Sequence, residues 1–370
     1  MNPNITMNLP ALSVTRAVTL MTEMYGSYIR NNIPMKQVPA VFLWGPPGIG
    51  KSQGIRQLAH QLEERTGKQT VVQDIRLILF SPIDLRGVPV ADENREFTLW
   101  LKPRIFAMDK SPDVINILLL DELSAAPQSV QAAAYQICLD RRVGEHTLPD
   151  NCIVICAGNR TTDHSVAYQM PKALCNRLLH FEIQADFESW KVWAQGNGIS
   201  PLVIGYLSFD RTRLCMEPSP SDLAYPTPRS WQFVSDLLTT MDCHPKEIHP
   251  LICGCVGSDT AVELEAWCDN HRDLPPIEEI LQGCCSRYPK THDALFALSV
   301  SLTETLTARG DAITEQELMN VCRYVKAWPI EFAMKFFQDL RELDFLWKKV
   351  IKSRIMADWL SKNKKYFREV

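Results

Sequence analysis

Apolar positions along the chain fall into two regimes. Up to about residue 184, short and fully apolar runs alternate with stretches of helical spacing. "AVFLW" (Ala40 to Trp44), bounded by "MKQVP" and by glycine, has the pattern of a buried parallel strand. A helix is expected from about Gly50 to Glu64, then strands at "TVVQDIRL" and "DVINILLLDE", a helix at "SVQAAAYQICLDRRV", and strands at "CIVICAGN" and "LLHFEI". Ahead of these, Leu12, Val14, Ala17, Val18, Met21, Met24 and Tyr25 recur at helical spacing and predict a helix within 11–30. Strands alternating with helices imply an α/β fold with a central parallel sheet. Past Gln184 the strand pattern stops: "FESWKVWAQGNG" and "SPLVIGYLSFD" read as short helices, and the proline-rich "CMEPSPSDLAYPTPRSW" leads into amphipathic helices that run to residue 370.

Composition narrows the function classes. With 46% hydrophobic and 22% charged residues, the chain has the make-up of a globular protein of two or three domains. A formal charge of −4 supplies no global basic field of the kind a dedicated duplex-binding protein carries. The sequence "MNPNITMNLPALSVTRAV" has no basic segment leading into an apolar run, and no later stretch approaches eighteen consecutive apolar residues. The expectation is a cytoplasmic protein without a membrane segment, its twelve cysteines reduced. The tightest cysteine cluster, "DCHPKEIHPLICGC", holds Cys243, His244, His249, Cys253 and Cys255. Its spacing is not a pair of CxxC knuckles, so packing is the favoured reading and a metal site the open alternative.

The chemistry begins at "GPPGIGKS". Gly45 to Ser52 fit G-x-x-x-x-G-K-[ST], with an apolar strand before and a helix after, the context that a phosphate loop requires. Gly45, Gly48 and Gly50 let backbone N–H groups face phosphate oxygens at the positive end of the following helix. Lys51 would hold terminal phosphates and Ser52 a magnesium ion. The expected cofactor-binding segment runs through Gly45, Pro46, Pro47, Gly48, Ile49, Gly50, Lys51, Ser52 and Gln53. "INILLLDEL" supplies the complementary acids: Asp121 to hold magnesium through water, Glu122 to orient and polarise the attacking water. Asn159 ends a further apolar strand. Because ligands of parallel sheets bind beyond the carboxyl ends of the strands, its carboxamide should emerge on the same edge and reach both water and phosphate.

These motifs, in this order and spacing, resemble AAA+ ATPases, and specifically the MoxR family. The resemblance rests on "GPPGIGKS", "LLLDELSAAPQSVQAAAYQICLDRRVG", "AGNRTTD" and "MPKALCNRLLHFEI". "SPIDLRGVPVADENREFTLWLKPRIF" looks like that family's helix-two insert, "DRRVGEHTLPDNCIVICAGN" like the hairpin before sensor one, and "YPTPRSWQFV" like the sensor-two segment. The resemblance covers roughly residues 12 to 240. It implies that Lys51 and Ser52 are Walker A, Asp121 and Glu122 Walker B, Asn159 sensor one, Arg177 in "CNRLL" the arginine finger and Arg229 in "PTPR" sensor two, with ATP and Mg2+ as cofactors. Arg160 is a second candidate for the arginine supplied to a neighbouring subunit. Where many relatives have Asn-Arg after the acidic pair, this chain has Ser124 and Ala125 beyond Leu123, and Trp100 and Leu101 replace a common Gly-Pro turn in the insert. The implied organisation is an AAA+ domain over 1–185, with the insert at about 84–106 and the hairpin at about 141–156, an all-helical lid over 186–300, and a helical extension over 301–370.

The family further implies a homo-oligomeric, hexameric ring that remodels, matures or metal-loads a protein substrate beside a partner carrying a von Willebrand factor A (VWA) domain. Phe97 and Trp100 would be aromatic grips on that substrate, although packing within the hairpin is the commoner fate of either residue alone. A nucleic-acid motor is the alternative. Its support is "WKKVIKSRIMADWLSKNKKYFREV", where Lys348, Lys349, Lys352, Arg354, Lys362, Lys364, Lys365 and Arg368 are interleaved with Trp347, Trp359, Tyr366 and Phe367. The bland reading of that stretch is an amphipathic helix whose aromatics dock on the body. A third reading, a nucleotide-dependent switch without turnover, would need neither Glu122 nor Arg177.

Overall fold

A computed structural model of the chain describes residues 9–363, apart from 161, 162, 164–167, 169, 171, 273 and 290. Ten strands are assigned among these: β1 (Ala11–Leu12), β2 (Val41–Trp44), β3 (Gln69–Arg76), β4 (Val88–Ala91), β5 (Thr98–Leu101), β6 (Val114–Asp121), β7 (Arg142–Val143), β8 (His146–Thr147), β9 (Cys152–Gly158) and β10 (Leu179–Ile183). Six form one sheet in the order β1-β10-β2-β9-β6-β3, and every pairing in it is parallel. Five of the six are the expected strands. The sixth, β1, is only two residues long, too short to leave a period in the sequence, and it is fixed by pairing Ala11 with Glu182 and Leu12 with Ile183.

The strands that read as uninterrupted apolar runs do so because both faces of the sheet are covered. Val41, Leu43, Ile117, Leu119, Ile153, Ile155 and Ala157 point to one side, where they pack with Ala17, Val18 and Met21 of α1 (Val14–Arg30) and Ile55, Leu58 and Leu62 of α2 (Lys51–Thr66). The alternate residues Phe42, Trp44, Leu118, Leu120, Val154 and Cys156 point to the other. There they meet Leu85 of α3 (Pro82–Arg86) and Val130, Ala133, Ala134 and Ile137 of α4 (Gln128–Asp140). The two-residue period of the strands thus divides one apolar run between two cores.

Between β3 and β6, α3 is followed by the antiparallel β4–β5 hairpin, with Val88 opposite Leu101 and Ala91 opposite Thr98. This is the expected insert, but its aromatics part company. Trp100 is half-buried, whereas Phe97 is 69% exposed, because Asp92 Oδ1 accepts from the backbone N–H groups of Glu96 and Phe97 and fixes the tip with that ring outward. Packing within the hairpin therefore does not account for Phe97. β7 and β8 form the short hairpin before β9.

The chain divides into two compact units, residues 1–195 with 215–230, and residues 196–214 with 231–370. This differs from the expected boundaries at two points. Residues 186–195 and 215–230 belong to the unit of the sheet, the latter in part because Thr227 and Arg229 lie against the phosphate loop. No break occurs at 300, which falls inside the helix His292–Arg309, and the helices on either side share one core of Leu298, Leu302, Leu306, Val321, Phe336, Phe337 and Leu340. Among its described residues the second unit is helical, as the loss of strand pattern implied. Trp347 and Trp359 pack on that core, with the Phe337 and Trp359 ring centroids 5.2 Å apart, so these two rings are docked rather than offered to a ligand. Lys364, Lys365, Tyr366, Phe367 and Arg368 lie outside the described residues. No helix among the described residues is long and apolar enough to cross a membrane.

Ile155 tests this account of the core. It is fully buried on the central strand β9, opposite Val41 on one side and Leu119 on the other. Ile155→Ala is expected to destabilise the first unit by about 2–5 kcal/mol, read as a lowered urea midpoint, and a midpoint unchanged from the parent would contradict the packing described.

Candidate functional site

The sheet register sets the site. Trp44 is opposite Gly158, Leu120 is opposite Cys156, and β2, β9 and β6 all run the same way, so the residues that follow them emerge along one edge. Gly45 begins the loop after β2, Asp121 ends β6, and Asn159 follows β9. The loop after β2 curls back into α2 through left-handed residues, Gly48 at φ 77° and Gly50 at φ 102°. Gly48 has a second reason to lack a side chain: a Cβ there would lie 2.9 Å from Thr227 Oγ1.

Lys51 is the first residue of α2, and its ammonium turns back over the loop. Nζ donates to the carbonyl oxygens of Gly45 and Pro46, the latter at 3.0 Å, and to Asn159 Oδ1 at 3.1 Å. Ser52 Oγ donates to Asp121 Oδ2 at 3.0 Å. The expected Walker A and Walker B side chains, and the expected sensor-one carboxamide, are therefore in direct contact. An ammonium satisfied only by neutral oxygens, beside a hydroxyl on a carboxylate, is a donor set that suits phosphate oxygens and a hard divalent cation. Magnesium fits Ser52 and Asp121, and a nucleotide phosphate fits Lys51 and the loop. Gln53 is exposed on the first turn of α2, and Ile49 is buried in the apolar core beneath the loop.

Glu122 sits immediately after Asp121 in a left-handed conformation, φ 57° and ψ 30°, which costs a residue with a side chain on the order of 1 kcal/mol or more. Three hydrogen bonds hold it there. Its N–H donates to Asp121 Oδ1 at 2.8 Å, and its carbonyl accepts from Ala125 and Ala126 N–H at 3.0 and 3.1 Å. Neither backbone partner requires the carboxylate, which stays half-buried at the end of the strand.

Ser124 is the residue that sequence reasoning passed over. It was noted only as a departure from the Asn-Arg of relatives, yet it is fully buried and stitches the two strand ends together. Its Oγ accepts from Asn159 N–H at 3.0 Å and donates to Asn159 C=O at 3.0 Å. The space exists because the facing residue is glycine: a Cβ on Gly158 would lie 2.6 Å from that Oγ. A hydroxyl one turn after an acidic strand end, opposite Gly-Asn in a neighbouring strand, was the signal available.

The three arginines have different situations. Arg160 is committed within its own chain: its guanidinium meets the buried Asp163 carboxylate at 2.7 and 2.8 Å and Glu182 at 2.6 Å. That geometry ties the loop after β9 to β10 and leaves the guanidinium engaged within its own chain. Arg177 is exposed in the turn just before β10, with no ion pair found for it among the described residues. Arg229 lies in the first turn of the helix Pro228–Met241, whose cap Thr227 accepts from Ser230 N–H, and its own N–H donates to Gly48 C=O at 3.3 Å. A cleft of about 300 Å³ opens beside the loop, lined by Pro46, Pro47, Ile49, Arg160, Tyr225 and Thr227 among others.

Part of the chain is similar to known proteins. Residues 40–180 match the family described as ATPases associated with various cellular activities (AAA). Over 152 residues the chain is 27% identical to Chaperone MoxR1 of Mycobacterium tuberculosis. Residues 40–180 are thus similar to AAA ATPase domains, and in sequence to a MoxR-type protein. The MoxR1 match takes in 40% of this chain and 37% of that protein, so the chain spans well under half the length of the curated relative it matches. Among solved structures, NtrX of Brucella abortus in complex with ATP is 15% identical with a TM-score of 0.39, covering 91% of this chain and 69% of that one. A RuvB mutant of Thermotoga maritima is 17% identical with a TM-score of 0.37, covering 83% and 86%. Likenesses this distant carry no argument about activity.

Burial pushes the Lys51 ammonium down from 10.5 to about 8, against the pull of Asp121 and Asp163. Without ligand, Lys51 therefore loses its charge as pH rises through about 8, while an anion placed on Nζ favours the charged form. Affinity for ADP should be flat below about pH 7.5 and fall roughly tenfold per unit above about pH 8.5, with binding there accompanied by proton uptake. Titration calorimetry in buffers of different ionisation heat measures both; constant affinity from pH 7 to 9.5 would show that Lys51 does not titrate in this range.

Proposed function

We propose that the chain is a magnesium-dependent ATPase that assembles into a ring and uses hydrolysis to remodel a protein target. The observation that carries this reading is the pair of contacts at the strand ends, Lys51 with Asn159 and Ser52 with Asp121. When bound, ATP supplies the anhydride to be cleaved and magnesium the charge that neutralises its oxygens. Lys51 would exchange its two carbonyl partners for terminal phosphate oxygens, a stronger charge-assisted bond, while Asn159 keeps the ammonium aligned. Ser52 and Asp121 would hold the ion. Glu122, pinned at the end of β6, accepts a proton from the attacking water and fixes its line of approach.

At this constellation the Arg160 guanidinium is taken up by Asp163 and Glu182. Arg177, exposed ahead of β10, suits a site on the next copy of the chain, where a fixed cation would meet the charge that develops on the phosphoryl oxygens. Such an arginine is worth about 10³ to 10⁵ in rate in phosphate-loop enzymes. Arg229, carried on the segment that touches Gly48, would report nucleotide to the helix it begins. A hexamer, a VWA-domain partner and a cytoplasmic setting belong to the same proposal, supported by the MoxR resemblance. Exposed Phe97, at the tip of the insert hairpin, is the side chain best placed to grip a target. The docked Trp347 and Trp359 give the nucleic-acid alternative no support.

Glu122→Gln is expected to retain ATP affinity within about threefold while turnover falls by about 10² or more. Lys51→Ala should lose binding itself. Equilibrium binding of a fluorescent ATP analogue and steady-state phosphate release separate the two effects, and undiminished turnover in Glu122→Gln would remove that carboxylate from the mechanism.

A further inference from the structure

The Cys/His cluster of the second unit is arranged for thiol chemistry. Among the described residues no group of His, Cys, Asp and Glu suits a metal ion. Instead, three side chains form a line. His249 opens the helix His249–Val256, and Cys253 follows one turn later on the same face. His249 Nε2 lies 3.2 Å from Cys253 Sγ. Its other nitrogen, Nδ1, lies 2.5 Å from Glu265 Oε1 on the neighbouring helix Ser258–Arg272. Glu265 is 8% exposed, and His249 and Cys253 are each half-exposed.

This order has a chemical meaning. A buried carboxylate draws the imidazole proton to Nδ1, which leaves Nε2 as the acceptor facing the thiol. The same carboxylate stabilises the imidazolium that forms when Nε2 takes the thiol proton. Nucleophile, base and the group that orients the base are thus in sequence, each within hydrogen-bond reach of the next. Two residues on, burial pushes the Cys255 thiol up.

We propose that Cys253 is a reactive thiol and a site of covalent modification by small disulfides and related soft electrophiles, with His249 as its base and Glu265 as the residue that positions the imidazole. In the reaction His249 Nε2 takes the Cys253 proton, and the thiolate attacks one sulfur of the disulfide. A new S–S bond to Cys253 forms, the old one breaks, and the departing thiolate recovers the proton from the imidazolium, so one thiol is consumed and one released. Modification then breaks the Cys253–His249 contact one helical turn into His249–Val256. This inference is independent of how the first unit uses nucleotide.

The unaltered chain provides its own comparison, because Cys284 is exposed and its contacts among the described residues are with Glu279 and Gln282 oxygens. Exposure alone makes Cys284 the fastest to alkylate. The arrangement described makes Cys253 the fastest, by about tenfold at pH 7, because a base stands within hydrogen-bond reach of its thiol. Iodoacetamide labelling followed by peptide mass spectrometry reads all the rates at once, and glutathione disulfide should add first at Cys253. His249→Gln and Glu265→Gln should each slow Cys253 by about tenfold and leave Cys284 unchanged. Loosening of the helix would instead expose Cys253 and Cys255 together and speed both, so a fall confined to Cys253 distinguishes loss of the base from loosening. Labelling led by Cys284, or Cys253 rates unaffected by either substitution, would overturn the proposal.

Discussion

The parallel register of β2, β9 and β6 is the constraint on which the site depends. These strands share no local sequence, and 108 positions separate Lys51 from Asn159, as 69 separate Ser52 from Asp121. Only the register brings those pairs to 3.1 and 3.0 Å, and the register is itself fixed by burial on both faces. A one-residue slip would exchange the side chains of the two cores and carry Asp121 away from Ser52. The energy that aligns the chemistry is therefore hydrophobic packing several residues below it.

Polar contacts at the edge refine what the register establishes. Ser124 fastens the end of β6 to the end of β9 by two hydrogen bonds to one residue, Asn159, in a position that glycine at 158 leaves clear. Arg160, two residues beyond Gly158, is held by Asp163 and Glu182, which links the loop after β9 to β10. Backbone bonds at Ala125 and Ala126 keep Glu122 in its unfavourable conformation. A movement of any of these strand ends would be felt at Lys51, which touches both the loop after β2 and Asn159.

The core and the phosphate loop were legible in the sequence because each leaves a strong local period or spacing. Val41 to Trp44 and Cys152 to Gly158 read as fully buried strands, and they are. The same reasoning could not see β1, whose two residues carry no period, nor that residue 300 falls inside the helix His292–Arg309 rather than at a break. Nor could it separate Arg160 from Arg177. Both follow or precede strands, and only the fold shows that Arg160 has two carboxylates within reach while Arg177 faces solvent. Ser124 carries no signal of its own for a related reason: its role lies in what faces it 35 positions away. The cluster at 243–255 likewise held an unassigned line of chemistry, because its third member, Glu265, lies on the next helix.

The reading of the first unit as half of a shared site is tested most directly by mixing two inactive chains. Glu122→Gln retains Arg177 for its neighbour, and Arg177→Ala retains Glu122 for its own site. If copies complete one another, pre-assembled mixtures should regain a substantial fraction of ATP turnover, greatest near equal proportions, because some interfaces then carry both native residues. Turnover no higher than the sum of the separate variants, in mixtures shown by mass to contain both chains, would contradict it.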